Sequence, residues 1–211
     1  MKYLKPLFII ITIILVGLSV WNKILLEKCK SRLQFQLAET KKMQHTAQEI
    51  EKAVVNTQTI SMKFLGRTLS LVPMEKIYPD KESQAEMPAN PKLILVMSEF
   101  GCNVCQDSET RFAVDLAKKA GLNYVLAIVH AGNQRYVKNY IRVNQVNFPV
   151  YFCEDDDFFT VNNLHNLPLL FLVDEENRII SAHIPLPGQP KYSEPFHEFC
   201  HYYFDQLINP D

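Results

Sequence analysis

Residues 93–105 read LILVMSEFGCNVC. An apolar, β-prone run ends in a short polar turn and then two cysteines separated by two residues. A helical pattern follows at once, so Cys102 and Cys105 fall in the first turn of a predicted helix. Unpaired backbone N–H groups and the helix dipole favour an anion there. The thiolate is such an anion, and it is the form that attacks disulfides. A strand delivering C-x-x-C to a helix start therefore reads as a redox site.

The remaining cysteines fit that reading. Cys29, Cys102, Cys105, Cys153 and Cys200 make an odd number in 211 residues, one close pair and three scattered. That is a working dithiol rather than a stapled scaffold. A zinc site would need two more ligands at a second matching spacing, which the sequence lacks. A net charge of −1 gives no basic surplus for nucleic-acid phosphates.

Residues 7–21 (LFIIITIILVGLSVW) are uncharged and strongly apolar, and 1–22 read as a transmembrane signal-anchor rather than a cleavable signal peptide. An N-terminal export signal places the rest of the chain outside the cytoplasm. Residues 23–56 have no proline or glycine and read as a helical stalk. Leu26, Leu33, Thr40, Ala47 and Val54 at one heptad position, with Cys29, Gln36, Met43 and Ile50 at the other, form a weak coiled-coil seam. A parallel homodimer would put Cys29 on that seam.

The third region, 57–211, reads as one domain. Two short strands are predicted around Gly66-Arg67 (59–65 and 67–72), and 77–91, with three prolines, as a loop. Residues 107–120 form a helix stopped by Gly121, 122–129 a buried strand, 133–145 a second helix and 148–152 a strand. Residues 154–157 read as an acidic loop and 158–164 as a helical turn. Residues 169–173 and 178–184 form a hairpin around 174–177. A final helix spans 193–207, with Ser193 as its N-cap and Phe196, Phe199, Cys200, Tyr203 and Leu207 on its buried face. Strands joined through helices imply parallel pairing, and the hairpin adds antiparallel strands, giving a mixed α/β sheet with helices on both faces.

The strand LILVMSEF, the site Cys102-Asn103-Val104-Cys105 and the stretch 166–174 (NLPLLFLVD) resemble the thioredoxin-like superfamily, nearest its membrane-tethered TlpA/ResA branch. The resemblance implies that Cys102 is the exposed nucleophile and Cys105 the buried resolving thiol, forming a redox-active disulfide. It implies a cis bond before Pro168, which brings Pro168 beside Cys102 and leaves the Leu167 backbone free to pair with an extended substrate. The expected activity is disulfide reduction or exchange in extracytoplasmic proteins. The expected partners are protein disulfide or dithiol substrates and a redox-partner protein, with the direction of electron flow open and with no cofactor and no metal. The buried Asp of thioredoxin has Val96 in its place, and Glu99 is the candidate substitute proton acceptor.

Two other readings weigh less. His197-Glu198-Phe199-Cys200-His201 is a literal H-E-x-x-H, but only ten residues follow it to supply a third ligand, so it reads as a solvent-facing helix surface. Cys153 and Cys200 read as buried small hydrophobes. The alternative to an enzyme is a non-catalytic thioredoxin-fold scaffold that dimerises through its stalk.

Overall fold

The computed structural model describes residues 4–71, 74–78, 92–153, 157–165 and 167–209, the side chains of 4–14 and 16 excepted. The chain forms two compact units, Met1–Lys52 and Ala53–Asp211. The first is helical throughout its described length, as part of α1 (Leu4–Met62). The expected stalk is therefore helix. Most of the expected membrane-spanning run lies outside the described side chains. Among the described residues, no helix is long and apolar enough to cross a membrane.

The second unit is built on a six-stranded sheet. Its strands are β1 (Glu75–Tyr78), β2 (Lys92–Ser98), β3 (Val125–His130), β4 (Val150–Cys153), β5 (Leu169–Val173) and β6 (Ile179–His183), in the order β1-β4-β3-β2-β5-β6. The β2–β3 and β3–β4 pairs are parallel; β1–β4, β2–β5 and β5–β6 are antiparallel. Helices α2 (Asn103–Ala120) and α3 (Gln134–Val143) supply the two parallel crossovers. The short α4 (Asp157–Asn162) precedes β5, and α5 (Glu194–Ile208) closes the fold.

All seven residues of β2 are buried, because both faces of the sheet are covered. Leu93, Leu95 and Met97 pack with Ala113 and Leu116 of α2, Val137 of α3, and Phe196 and Phe204 of α5. Ile94 and Val96 pack on the other face with Phe64, Phe158 and Phe171. The period-2 alternation of a strand thus sends successive residues of one apolar run into two separate cores. The hairpin turn is set by Asp174, whose Oδ1 accepts the N–H groups of Glu176 and Arg178 at 3.0 and 2.8 Å.

Several local expectations are corrected. Residues 59–65 are not a strand: α1 runs on to Met62. Within it the hydroxyls of Thr57 and Thr59 are satisfied by donating back to the carbonyls of Val54 and Val55. Gly66, at φ 75°, ends the turn that follows. Of 67–71, only Thr68 makes a bridge, to Arg178. Ile77 and Tyr78 belong to edge strand β1 rather than a loop, while the expected loop from 79 to 91 and the acidic residues 154–156 lie outside the described residues. On α5 the buried residues are Phe196, Cys200 and Phe204; Phe199 and Leu207 are exposed. A strict i, i+4 stripe faces the sheet, so residues one position to its side fall at the edge.

Candidate active site

The chain leaves β2 at Ser98 and turns within three residues, closed by Gly101 N–H donating to the Ser98 carbonyl at 2.9 Å. The buried Gln106 side chain donates to that same carbonyl at 2.6 Å. A Cβ on Gly101 would collide with the Gln106 amide, so a larger residue here would have to displace that side chain from the Ser98 carbonyl. The tight turn places Cys102 at the N-cap of α2.

The two sulfurs occupy unlike environments. Cys102 is half-buried, and its Sγ accepts the Cys105 N–H at 3.4 Å, at the positive end of the α2 dipole. Cys105 is 4% exposed. Cys102 and Cys105 are disulfide-bonded, with Cα atoms 5.3 Å apart. A backbone donor aimed at Cys102 stabilises its thiolate once the disulfide is opened. Phe100 and Val104, 80% and 70% exposed, flank the pair with apolar surface.

The distant stretch arrives at the same place. The Leu167–Pro168 bond is cis. Leu167, Pro168, Cys102 and Cys105 line one cavity of about 500 Å³, together with Ile184 and Pro185 from beyond β6. Antiparallel pairing of β5 with β2 brings this about, because Leu169 is opposite Val96 and the residues just before β5 reach the end of β2.

Glu99 lies on the turn three residues before Cys102. Its Oε2 accepts the Gly132 N–H at 2.8 Å, on the loop after β3. Val96 is wholly buried in the apolar core of the opposite sheet face. The carboxylate that shares a cavity with Cys105 is Glu109, one turn further along α2. Glu109 is 1% exposed, and both its oxygens are engaged: Oε1 accepts the Ser193 hydroxyl at 2.8 Å, and Oε2 lies 2.7 Å from His197 Nε2. The Ser193 Oγ in turn lies 2.9 Å from His183 Nε2. Because the single Ser193 proton goes to Glu109, His183 donates from Nε2. Burial pushes His183 down to about 4, so it is neutral at neutral pH.

This network corrects two expectations. Ser193 does not cap α5 through its side chain, because its hydroxyl is turned to Glu109. The first histidine of the H-E-x-x-H is not on a free surface: Glu109 draws His197 inward, and Phe112 stacks on its ring at 3.7 Å. Among the described residues, no group of three or more acidic, cysteine or histidine side chains is arranged to hold a metal ion. The sequence signal for Glu109 is an acidic residue on the stripe Cys105-Glu109-Ala113, four residues apart on the buried face of α2.

No family model matches the sequence, and no curated protein does. Solved structures do match the fold. A thiol-disulfide isomerase from Corynebacterium glutamicum aligns with 69% of this chain and 98% of its own, at 14% identity and a TM-score of 0.51. StoA from Bacillus subtilis aligns over 63% and 97%, at 17% identity and a TM-score of 0.45. The thioredoxin domain of a thiol-disulfide oxidoreductase from Bacteroides vulgatus aligns over 64% and 97%, at 15% and 0.49. A mixed sheet with C-x-x-C at the β2–α2 junction and a cis-proline opening β5, together with the likeness to the Corynebacterium structure, makes the domain thioredoxin-like in fold.

Proposed function

We propose that the chain is a thiol–disulfide oxidoreductase, anchored at the membrane by its N-terminal segment, that reduces or exchanges disulfides of extracytoplasmic proteins. The observation that carries this reading is the asymmetry of the pair. A half-buried Cys102 caps α2, bonded to a buried Cys105, and both line a cavity with Leu167 and Pro168. The Cys102 thiolate attacks a substrate disulfide, forming a mixed disulfide and releasing one substrate thiolate. Cys105 then attacks Cys102 Sγ; the Cys102–Cys105 bond forms, and the second substrate thiolate leaves. The substrate is reduced by two electrons, and a dithiol partner protein restores the pair. Leu167 and Pro168 wall the substrate cleft, with the Leu167 backbone pairing to the substrate strand. Glu99 serves the site by tying the active-site turn to Gly132.

A self-associating stalk is favoured by one observation: Leu26, Leu33 and Met43, at heptad positions of α1, are each exposed by 65% or more. Cys29 cross-linking between two copies under oxidising conditions tests it. The catalytic reading is tested by turnover of a disulfide-bonded model protein. Catalysis should vanish in Cys102→Ser; a rate equal to that of the variant would leave only the scaffold reading.

A further inference from the structure

We propose that the groove between the last turns of α1, the edge of β6 and the start of α5 binds an extended apolar segment of the substrate polypeptide, next to the disulfide that Cys102 attacks. The inference rests on the dithiol reading above and names the class of substrate for that same site: polypeptides with an apolar stretch beside the cysteine.

The groove has a volume of about 450 Å³. It joins the cysteine cleft, because Thr57, Ile184 and Leu186 line both. A chain whose disulfide sits at Cys102 therefore has a continuous path into it. Ser181, Ala182, His183 and Ile184 line the groove in succession. Successive side chains of a strand point to opposite faces of the sheet. Ala182 and Ile184 pack in one core, while the His183 ring stacks on Phe196 of the other. A groove that touches neighbours from both faces runs along the edge of the strand.

That edge is open for pairing. β6 is the last strand on its side of the sheet. Among the described residues, the backbone bonds to its outer edge are both at Ile179, which accepts from Gly66 and donates to Arg67. From Ser181 onward the edge meets the groove instead, and an unpaired strand edge takes up an extended chain through main-chain hydrogen bonds.

The walls select apolar side chains. Among the described residues, none that lines the groove is charged at neutral pH, because burial pushes His183 down to about 4. Met62 and Leu65 on one wall and Phe199 on the other are 70%, 49% and 42% exposed. Large apolar groups left open around an uncharged groove mark a binding surface. The outward ring of Phe199, which the apolar pattern of α5 alone would bury, has its place there.

The test uses the full chain, reduced, with glutathione disulfide and two peptides, each joined to glutathione through its one cysteine. One peptide flanks the cysteine on both sides with alternating Val and Ser; the other has Asn in place of each Val. In the parent, kcat/KM for the apolar peptide should exceed that for the polar one by about tenfold or more. Met62→Glu and Phe199→Glu, on opposite walls, should each cut that ratio by about fivefold or more. N-methylation of one alternating set of residues in the apolar peptide should lower it too, by removing main-chain donors. Equal values for the two peptides in the parent would overturn the groove, and this comparison needs no variant to fold. A preference unchanged in both Glu variants, or indifferent to N-methylation of either set, would overturn it as well. Self-association lost in the Glu variants with the peptide preference intact would give the groove to a second copy and also overturn the proposal. A parent that reduces neither the peptides nor glutathione disulfide would instead bring down the dithiol reading itself.

Discussion

The Glu109 carboxylate meets the His197 imidazole at 2.7 Å across 88 residues of sequence, joining α2 to α5 directly behind the cysteine pair. On the strand that leads into the pair, Val96 is committed to the apolar core. A buried carboxylate from the helix thus shares a cavity with the buried Cys105.

The turn into the site has little tolerance. Gly101→Ala should push the Gln106 amide off the Ser98 carbonyl and leave a buried polar group without its partner, costing about 1–3 kcal/mol. Urea unfolding of the variant beside the parent measures the loss.

Stability should depend on pH through His183. Its folded-state value is lowered to about 4 from the ordinary 6.5, so between those values the unfolded chain binds a proton that the folded chain refuses. Stability is therefore full above pH 6.5 and falls as pH drops toward 4. From pH 7 to pH 5 this group alone should remove about 2 kcal/mol. In His183→Gln, urea midpoints at the two pH values should lie closer together than in the parent.

Native-state alkylation should sort the cysteines by environment. In the reduced protein, iodoacetamide should modify exposed Cys29 and half-buried Cys102 first, with buried Cys105, Cys153 and Cys200 following slowly. Peptide mapping over a time course gives the order. Cys200 should be the slowest, since its thiol is also held protonated.

Legibility followed the range of the interactions. The run 93–98, the C-x-x-C and the proline before 169–173 could be read because strand burial, helix starts and X–Pro geometry are local properties. Residues 59–62 misled because they continue the long helix α1, and the helical context overrode the β preference of Thr59 and Ile60, the Thr59 hydroxyl being satisfied on the Val55 carbonyl. On α5 the expected face was right at Phe196 and Cys200 and missed Phe204 in favour of Phe199 and Leu207, because the helix is apolar on more than one side and only packing selects the stripe. Glu109, Ser193, His183 and His197 escaped notice as a group because α2, more than 70 residues before the others, meets the end of β6 and the start of α5 only in the fold. Only Glu109 carried a local sign, a charge on an apolar stripe.

The central claim is that Cys102 attacks disulfides and Cys105 resolves the product. Trapping with Cys105→Ser tests it most directly. The variant should accumulate mixed disulfides through Cys102 with a disulfide-bonded protein substrate, released by dithiothreitol and absent in the Cys102→Ser, Cys105→Ser double variant. A folded Cys105→Ser protein that captures no substrate through Cys102 would contradict the account.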